Sequence, residues 1–293
     1  NIITDPLATA FETQAITVRI EDPISGEIIG DEFVFGVFGK QIYNATLTPT
    51  NQTEHMDVSE ETFTSVYIRN TGNAPADFNI ALDTTLAGAV GFEIQSPSNS
   101  KIFIGKGQQE VIRVKMIANS GANADGFYMA TISVSADNGQ IMLSSNIVAN
   151  ISKSPSFVIT APAQMSVTPG MQEKVDFEIQ NNGNSLESVT LDFTVENMTL
   201  SLEGGPLSNQ VSMIQTIAIG ESFVGQVIVY VPSIGGVTSL TKGDSYDLTI
   251  TVQNTSSGSA YDGAKRVELL VQPLFIVESN DWPSEMKFRP ESD

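Results

Sequence analysis

Val66–Leu82 reads VYIRNTGNAPADFNIAL and Phe177–Phe193 reads FEIQNNGNSLESVTLDF. In each, apolar residues alternate with polar ones up to an Asn-x-Gly-Asn turn, and alternate again after it. Period-two alternation puts successive side chains on opposite faces of an extended chain, which is the pattern of a strand with one buried face. The turn between two such runs predicts two strands joined by a short connection. Asn70, Gly72 and Asn73 fall on Asn181, Gly183 and Asn184, a displacement of 111 residues (181 − 70). The triplet Phe78, Ile80, Leu82 falls on Val189, Leu191, Phe193, so the faces repeat as well as the letters. Gly72 and Gly183 are read here as residues that supply a positive φ to the turn.

The repeat extends outward from this stretch. GFYMATISVSA from Gly126 aligns with DSYDLTITVQN from Asp244, placing Tyr128 on Tyr246 and Val134 on Val252. AITVRIED, VIRVKM and GQVIVYVP show the same alternation, and almost no segment shows the 3.6-residue period of an amphipathic helix, so helices are expected to be absent or single-turn. The fold class that follows is all-β: tandem immunoglobulin-like β-sandwiches with extra terminal strands. The expected division is 1–37, an N-terminal strand segment; 38–154, the first sandwich; 155–273, the second; and 274–293, a C-terminal strand or tail. A Tyr at the start of a penultimate strand matches the tyrosine corner of such sandwiches, and Tyr128 and Tyr246 are the candidates.

The ends repeat parts of the middle. SFVIT at Ser156 opens the second copy, and LFIVESND at Leu274 resembles it directly after that copy closes. AITVRIED and EFVFGVF precede the first copy without completing a domain. Two readings stand for these strands. They are remnants of neighbouring repeats, or they are strands offered to another subunit, because an unpaired strand edge seeks a partner.

Composition sets limits on function. The 293 residues carry 14 Lys and Arg against 34 Asp and Glu, a formal charge of −20. That balance repels phosphate backbones and anionic membrane surfaces, so nucleic acid is not an expected partner. There is no Cys, which removes disulfides, thiolate metal sites and Cys nucleophiles together, and suits a bacterial or archaeal surface protein or a cytosolic protein. No apolar run approaches the roughly 18 residues of a membrane helix.

The pattern from Met165 to Gly170 (MSVTPG), an alternating strand, Asn-x-Gly-Asn, a second strand, the Gly220–Glu221 turn, VIVYVP and a Tyr-led last hairpin resembles the NEW3 and CARDB-type immunoglobulin-like repeats of archaeal and bacterial cell-surface proteins. The first copy departs from it, with Ser59 and Glu60 in place of Thr168 and Pro169. The resemblance implies spacers, adhesion modules or wall components and no catalytic residues. The implied location is extracellular, at the cell surface, and the implied partners are copies of the protein itself, neighbouring immunoglobulin-like domains met through edge or terminal strands, and glycans.

Candidate sites are few. Five Asn-x-Ser/Thr sequons occur, at Asn44, Asn51, Asn150, Asn197 and Asn254, each a formal acceptor for N-glycosylation. No cofactor is expected; calcium is the one ion that suits acidic loops, and Asp125 and Asp137 are its candidate ligands. Asp137-Asn138-Gly139 also has the composition of a tight hairpin turn. His55 is the only His, with no nucleophile motif to serve. The function expected from the sequence is a non-catalytic structural or adhesive surface protein, of a surface layer, stalk or extracellular filament. The alternative is a spacer or ligand-binding accessory region of a larger secreted enzyme or receptor.

Overall fold

A computed structural model describes residues 8–136, 139, 141–233, 243–261 and 263–272. Among them are twenty strands and no helix. The segment 274–293 and the candidate Asp137 lie outside the described residues. The chain divides into two compact units between Lys153 and Ser154.

The first unit contains β1 (Thr13–Val18), β2 (Phe33–Phe38), β3 (Ala45–Thr48), β4 (Asn51–Met56), β5 (Glu61–Asn70), β6 (Ala76–Leu86), β7 (Val90–Ser96), β8 (Lys101–Ile104), β9 (Gln109–Ala118), β10 (Tyr128–Ala136) and β11 (Met142–Ile151). Strands β3-β5-β9-β7 form one sheet and β4-β11-β10-β6-β8 the other, while β1 and β2 pair only with each other. The second unit contains β12 (Phe157–Thr160), β13 (Gln164–Val167), β14 (Gln172–Asn181), β15 (Glu187–Val195), β16 (Thr199–Ser201), β17 (Gln210–Ile217), β18 (Ser222–Tyr230), β19 (Ser245–Asn254) and β20 (Lys265–Val271). Its sheets are β12-β14-β18-β16 and β13-β20-β19-β15-β17.

Each strand of the second unit stands nine places after its counterpart in the first, and both sheet orders then coincide. These are all-β, immunoglobulin-like sandwiches: one sheet in the order A-B-E-D, the other carrying C, F and G side by side. Two features are shared by both copies. The first strand splits, so that β4 and β13 leave their sister strands β3 and β12 and add in parallel to β11 and β20. The short strand after β6 or β15 crosses to the first sheet (β7, β16), and the next returns to the second (β8, β17).

Alternation produces two separate cores. In β5 the residues Val66 and Ile68 are fully buried, and in β14 Val175, Phe177 and Ile179. Across from them lie Ile132 and Val134 of β10, and Ile250 and Val252 of β19. Each such side chain contributes on the order of 1.5–3 kcal/mol when removed from water, so each sandwich has the apolar content to hold itself together.

Candidate functional site

The inward alternation of β5 and β14 ends on a polar residue in each copy: Asn70 and Asn181, both completely buried. A buried amide is stable only when its donors and acceptor are all met. Asn70 Nδ2 donates to the carbonyls of Ala74 (2.9 Å) and Ile104 (3.0 Å), and its Oδ1 accepts from Gly72 N–H (2.9 Å). Asn181 Nδ2 donates to Ser185 O (2.9 Å) and Ile217 O (2.9 Å), and its Oδ1 accepts from Gly183 N–H (2.9 Å). One side chain thus fixes the turn on itself and ties it to the end of β8 or β17.

Fixed in this way, the turn holds the chain that enters its own unit. Asn73 Oδ1 accepts from Ile42 N–H (2.7 Å), and its Nδ2 donates to the carbonyls of Lys40 (3.0 Å) and Ala8 (3.2 Å). Thr71 N–H donates to Asn44 O (2.9 Å). In the second unit Asn184 Oδ1 accepts from Ser154 N–H (2.7 Å), and Asn182 N–H donates to Ser156 O (2.8 Å). The two Asn that repeat in both turns therefore have distinct tasks. The first builds the turn, and the second grips the residues just ahead of strand β3 or β12.

The glycine between them has a different reason from the one read in the sequence. Neither Gly72 nor Gly183 has a positive φ; the positive values in this neighbourhood belong to Gly107 (73°) and Gly220 (75°), in the turns before β9 and β18. A Cβ on Gly72 would sit on the carbonyl oxygen of Ile42, and one on Gly183 would lie 2.8 Å from Ser154 O, 2.9 Å from Ser156 N and 3.0 Å from Pro155 Cα. The incoming backbone crosses directly over the glycine. Space, not backbone conformation, excludes a side chain. The sequence carries a signal for this in its second, repeated Asn, whose role is invisible without the residue about thirty positions upstream that it holds.

In the first unit the same clamp holds the base of the β1–β2 hairpin. Ala10 N–H donates to Asn73 O (3.2 Å), and Phe11 N–H to Gly39 O (3.0 Å). The register pairs Val18 with Phe33, Ile16 with Phe35 and Gln14 with Val37, so five apolar side chains occupy one face of the ribbon. That face is uncovered among the described residues: Phe33 is 67% exposed and Val18 46%. The ribbon is closed at its tip by Asp22, whose Oδ1 accepts from Ile24 N–H (2.8 Å) and Ser25 N–H (3.1 Å). Those two backbone bonds hold the Asp22 carboxyl below its ordinary pKa.

The remaining candidates do not converge. Tyr128 hydroxyl accepts from Asn123 N–H (2.8 Å) and donates to Asn123 O (3.1 Å), so it fastens the loop five residues upstream. Tyr246 hydroxyl lies 3.5 Å from Asp244 Oδ2, and burial followed by that negative charge pushes its pKa up. Asp125 sits 4.0 Å from Lys153 Nζ, and among the described residues no three acidic or His side chains gather at one point. Of the sequons, Asn44, Asn51, Asn150 and Asn197 are exposed, Asn197 at a φ of 57°. Asn51 Oδ1 accepts from Asn146 Nδ2 (3.2 Å), and Asn150 Nδ2 faces His55 Nδ1 (3.4 Å). Asn254 is half-buried and engaged at both ends: Nδ2 donates to Tyr261 hydroxyl (2.8 Å), and Oδ1 accepts from Ser256 N–H (2.9 Å).

The sequence matches no family model and no curated protein. Among solved structures it is similar to a three-immunoglobulin-domain titin variant (TM-score 0.38, 10% identity, over 83% of this chain and 70% of that one). It is also similar to the CARDB domain of a Pyrococcus furiosus protein in complex with di-metal ions (TM-score 0.27, 14% identity, 41% and 88%). A third likeness is to a PapD-like domain of a human protein (TM-score 0.29, 10% identity, 38% and 86%). At these scores none of them carries a functional argument, and the fold assignment rests on the strand orders above.

Proposed function

We propose that this is a non-catalytic structural or adhesive protein of the cell surface, a part of a surface layer, stalk or extracellular filament made of NEW3 and CARDB-type repeats. One observation carries the reading: two sandwiches of identical strand order each use a fully buried Asn and a second, gripping Asn to hold the chain that enters them. A module that fixes its own entry point can be added to a preceding one without loosening, which is what a load-bearing or spacing array requires. The acidic composition favours solubility, and the absence of Cys fits a bacterial or archaeal surface protein as it fits a cytosolic one.

The test is to raise antibodies against the folded two-unit chain and apply them to intact cells of the source organism, with negative-stain imaging of the labelled material. The expected result is label on unbroken cells, over a sheet or fibre. Label only after lysis overturns the surface role. Label confined to a longer polypeptide with a separate catalytic domain favours an accessory region of a secreted enzyme instead.

A further inference from the structure

The β1–β2 hairpin corresponds in offset and register to β10 and β11, the last two strands of the first sandwich. Ile42 and Ser154 are held by equivalent Asn side chains, which fixes an offset of 112 residues (154 − 42) between the segments leading into β3 and β12. That offset also carries Ala45, the first residue of β3, onto Phe157, the first of β12. Carried backward, it sets Phe33, Phe35 and Val37 on Ser145, Ile147 and Ala149 of β11, all buried inward-facing positions. Their antiparallel partners Val18, Ile16 and Gln14 then fall on Ile132, Ala130 and Tyr128 of β10, buried too. The exposed apolar face of the ribbon therefore corresponds in register to the inward-facing positions of β10 and β11. A two-stranded ribbon is marginal by itself in water and needs further strands over an apolar face.

The sequence that follows β20 has the form of the first strands of a sandwich. Pro273–Glu278 (PLFIVE) parallels Pro155–Thr160 (PSFVIT), which leads into and contains β12, and Met286-Lys-Phe-Arg-Pro290 parallels Met165-Ser-Val-Thr-Pro169, which contains the end of β13. In both units the strand of the second kind adds in parallel to the outer edge of the last strand, ending with Val167 opposite Val271 and Met56 opposite Ile151. The next backbone N–H then donates to it, Gln272 N to Val167 O and Ser152 N to Met56 O, both at 2.9 Å. Strand β3 also packs on β11. The outer edge of β2 is not paired to any strand among the described residues.

We propose that Leu274–Phe288 of a second copy of this chain completes the hairpin, joining copies head to tail by strand donation. Residues 286–288 add in parallel along β2, and residues 275–278 lie over Phe35 and Val37. The register follows from the offsets: Phe288 opposite Gly39, Lys287 opposite Phe38 and Met286 opposite Val37. Lys287 and Phe38 face outward there, as Ser166 and Leu270 do in the second unit. This deepens the surface-assembly reading and can fail separately from it. A monomer that labels intact cells removes strand donation and keeps the surface role; an assembling chain found only inside cells does the reverse.

The absence of Cys makes the register directly testable, because introduced thiols are the only ones present. Phe38→Cys is made in one chain and Lys287→Cys in another of different tagged length; far-UV dichroism and the thermal transition check that both fold. After mixing and mild oxidation, mixed disulfide dimers are expected in roughly tenfold excess over either homodimer. Val34→Cys, about 13 Å back along β2, is expected to give no excess with the same partner. Removing residues 274–293 is expected to abolish concentration-dependent association in sedimentation, and the synthetic 274–293 peptide to cap the chain as a 1:1 complex. Random-level mixed dimers, a Phe38→Cys/Lys287→Cys double variant that closes within a monomer, or a monomer up to about 100 µM each overturns the proposal.

Discussion

Gly183→Ala separates two explanations of the repeated turn. The new methyl would meet three backbone atoms of the incoming chain at 2.8, 2.9 and 3.0 Å, where ordinary contacts need about 3.5–4.0 Å. No side chain can swing aside, so Ser154–Ser156 must retreat by roughly 0.5–1 Å. Overpacking of this kind costs about 1–3 kcal/mol. The retreat also stretches the bonds from Ser154 N–H to Asn184 Oδ1 (2.7 Å) and from Asn182 N–H to Ser156 O (2.8 Å), each contributing about 0.5–1.5 kcal/mol net. The total is about 2–6 kcal/mol. At about 4 °C per kcal/mol for a sandwich of this size, the second unit should melt roughly 8–24 °C lower.

The assay is calorimetry of the full chain, with the first unit's transition as internal reference. Gly220 is the control, because it has a φ of +75° with nothing within 4 Å of its Cβ position. There Ala is strained by about 1–2 kcal/mol, while Asn, which tolerates the left-handed region, recovers part of the loss. The expected stability order is therefore Gly, Asn, Ala at 220 and Gly, Ala, Asn at 183, where the larger side chain only adds to the collision. Asn outranking Ala at position 183, or Gly183→Ala within about 0.5 kcal/mol of the parent, would refute the close-approach argument.

Asn181→Ala should cost the second unit about 3 kcal/mol, since it strands two buried carbonyls and one half-buried N–H; urea denaturation measures it, and a loss under about 1 kcal/mol contradicts the assigned network. Tyr128→Phe removes both bonds to Asn123 and should lower the first unit's stability by about 1–1.5 kcal/mol, with earlier cleavage of the 119–127 loop in limited proteolysis. Asp22 has a folded pKa below its unfolded 3.8, so its contribution to the hairpin tip is present above that value and is lost as pH falls through the lowered one; the Ile24 and Ser25 amide resonances should collapse there in the parent and be pH-independent in Asp22→Asn. In a glycosylating host, peptide mass spectrometry should find Asn197 modified and Asn254 unmodified, because the Asn254 amide is already held by Tyr261 and its own turn.

The strands were legible because each sandwich leaves one face of every strand in the core, and Val66, Ile68 or Val175, Phe177, Ile179 write that directly as period two. Phe193 of β15 could be placed on the inner face from the same rule. The crossing of β7 and β16 to the opposite sheet was not legible, because β16 is three residues long and its partner is chosen by contacts with β18 that lie far along the chain. Gly72 was misread for a related reason. A turn glycine's local sequence is the same whether φ or a crossing chain demands it, and the crossing chain here is Ile42, thirty residues earlier.

That misreading locates where duplicated sequence and function meet. Had the repeated glycines served only φ, the turns would be interchangeable with any tight connection, and Asn73 and Asn184 would have no reason to recur. Because each turn instead grips the chain arriving at its unit, the repeat conserves a joint as well as a fold within this one sequence. In the first unit the chain so gripped is the base of a ribbon with Phe33 and Phe35 open on one face. A clamp that holds the base of a hairpin built into a sandwich in one copy, and the base of an unfinished hairpin in the other, leaves a set of unmet apolar contacts at the ribbon among the described residues. Any assembly of this protein should therefore weaken first under Phe35→Ser, which leaves both sandwiches intact and removes only the ribbon's apolar contact.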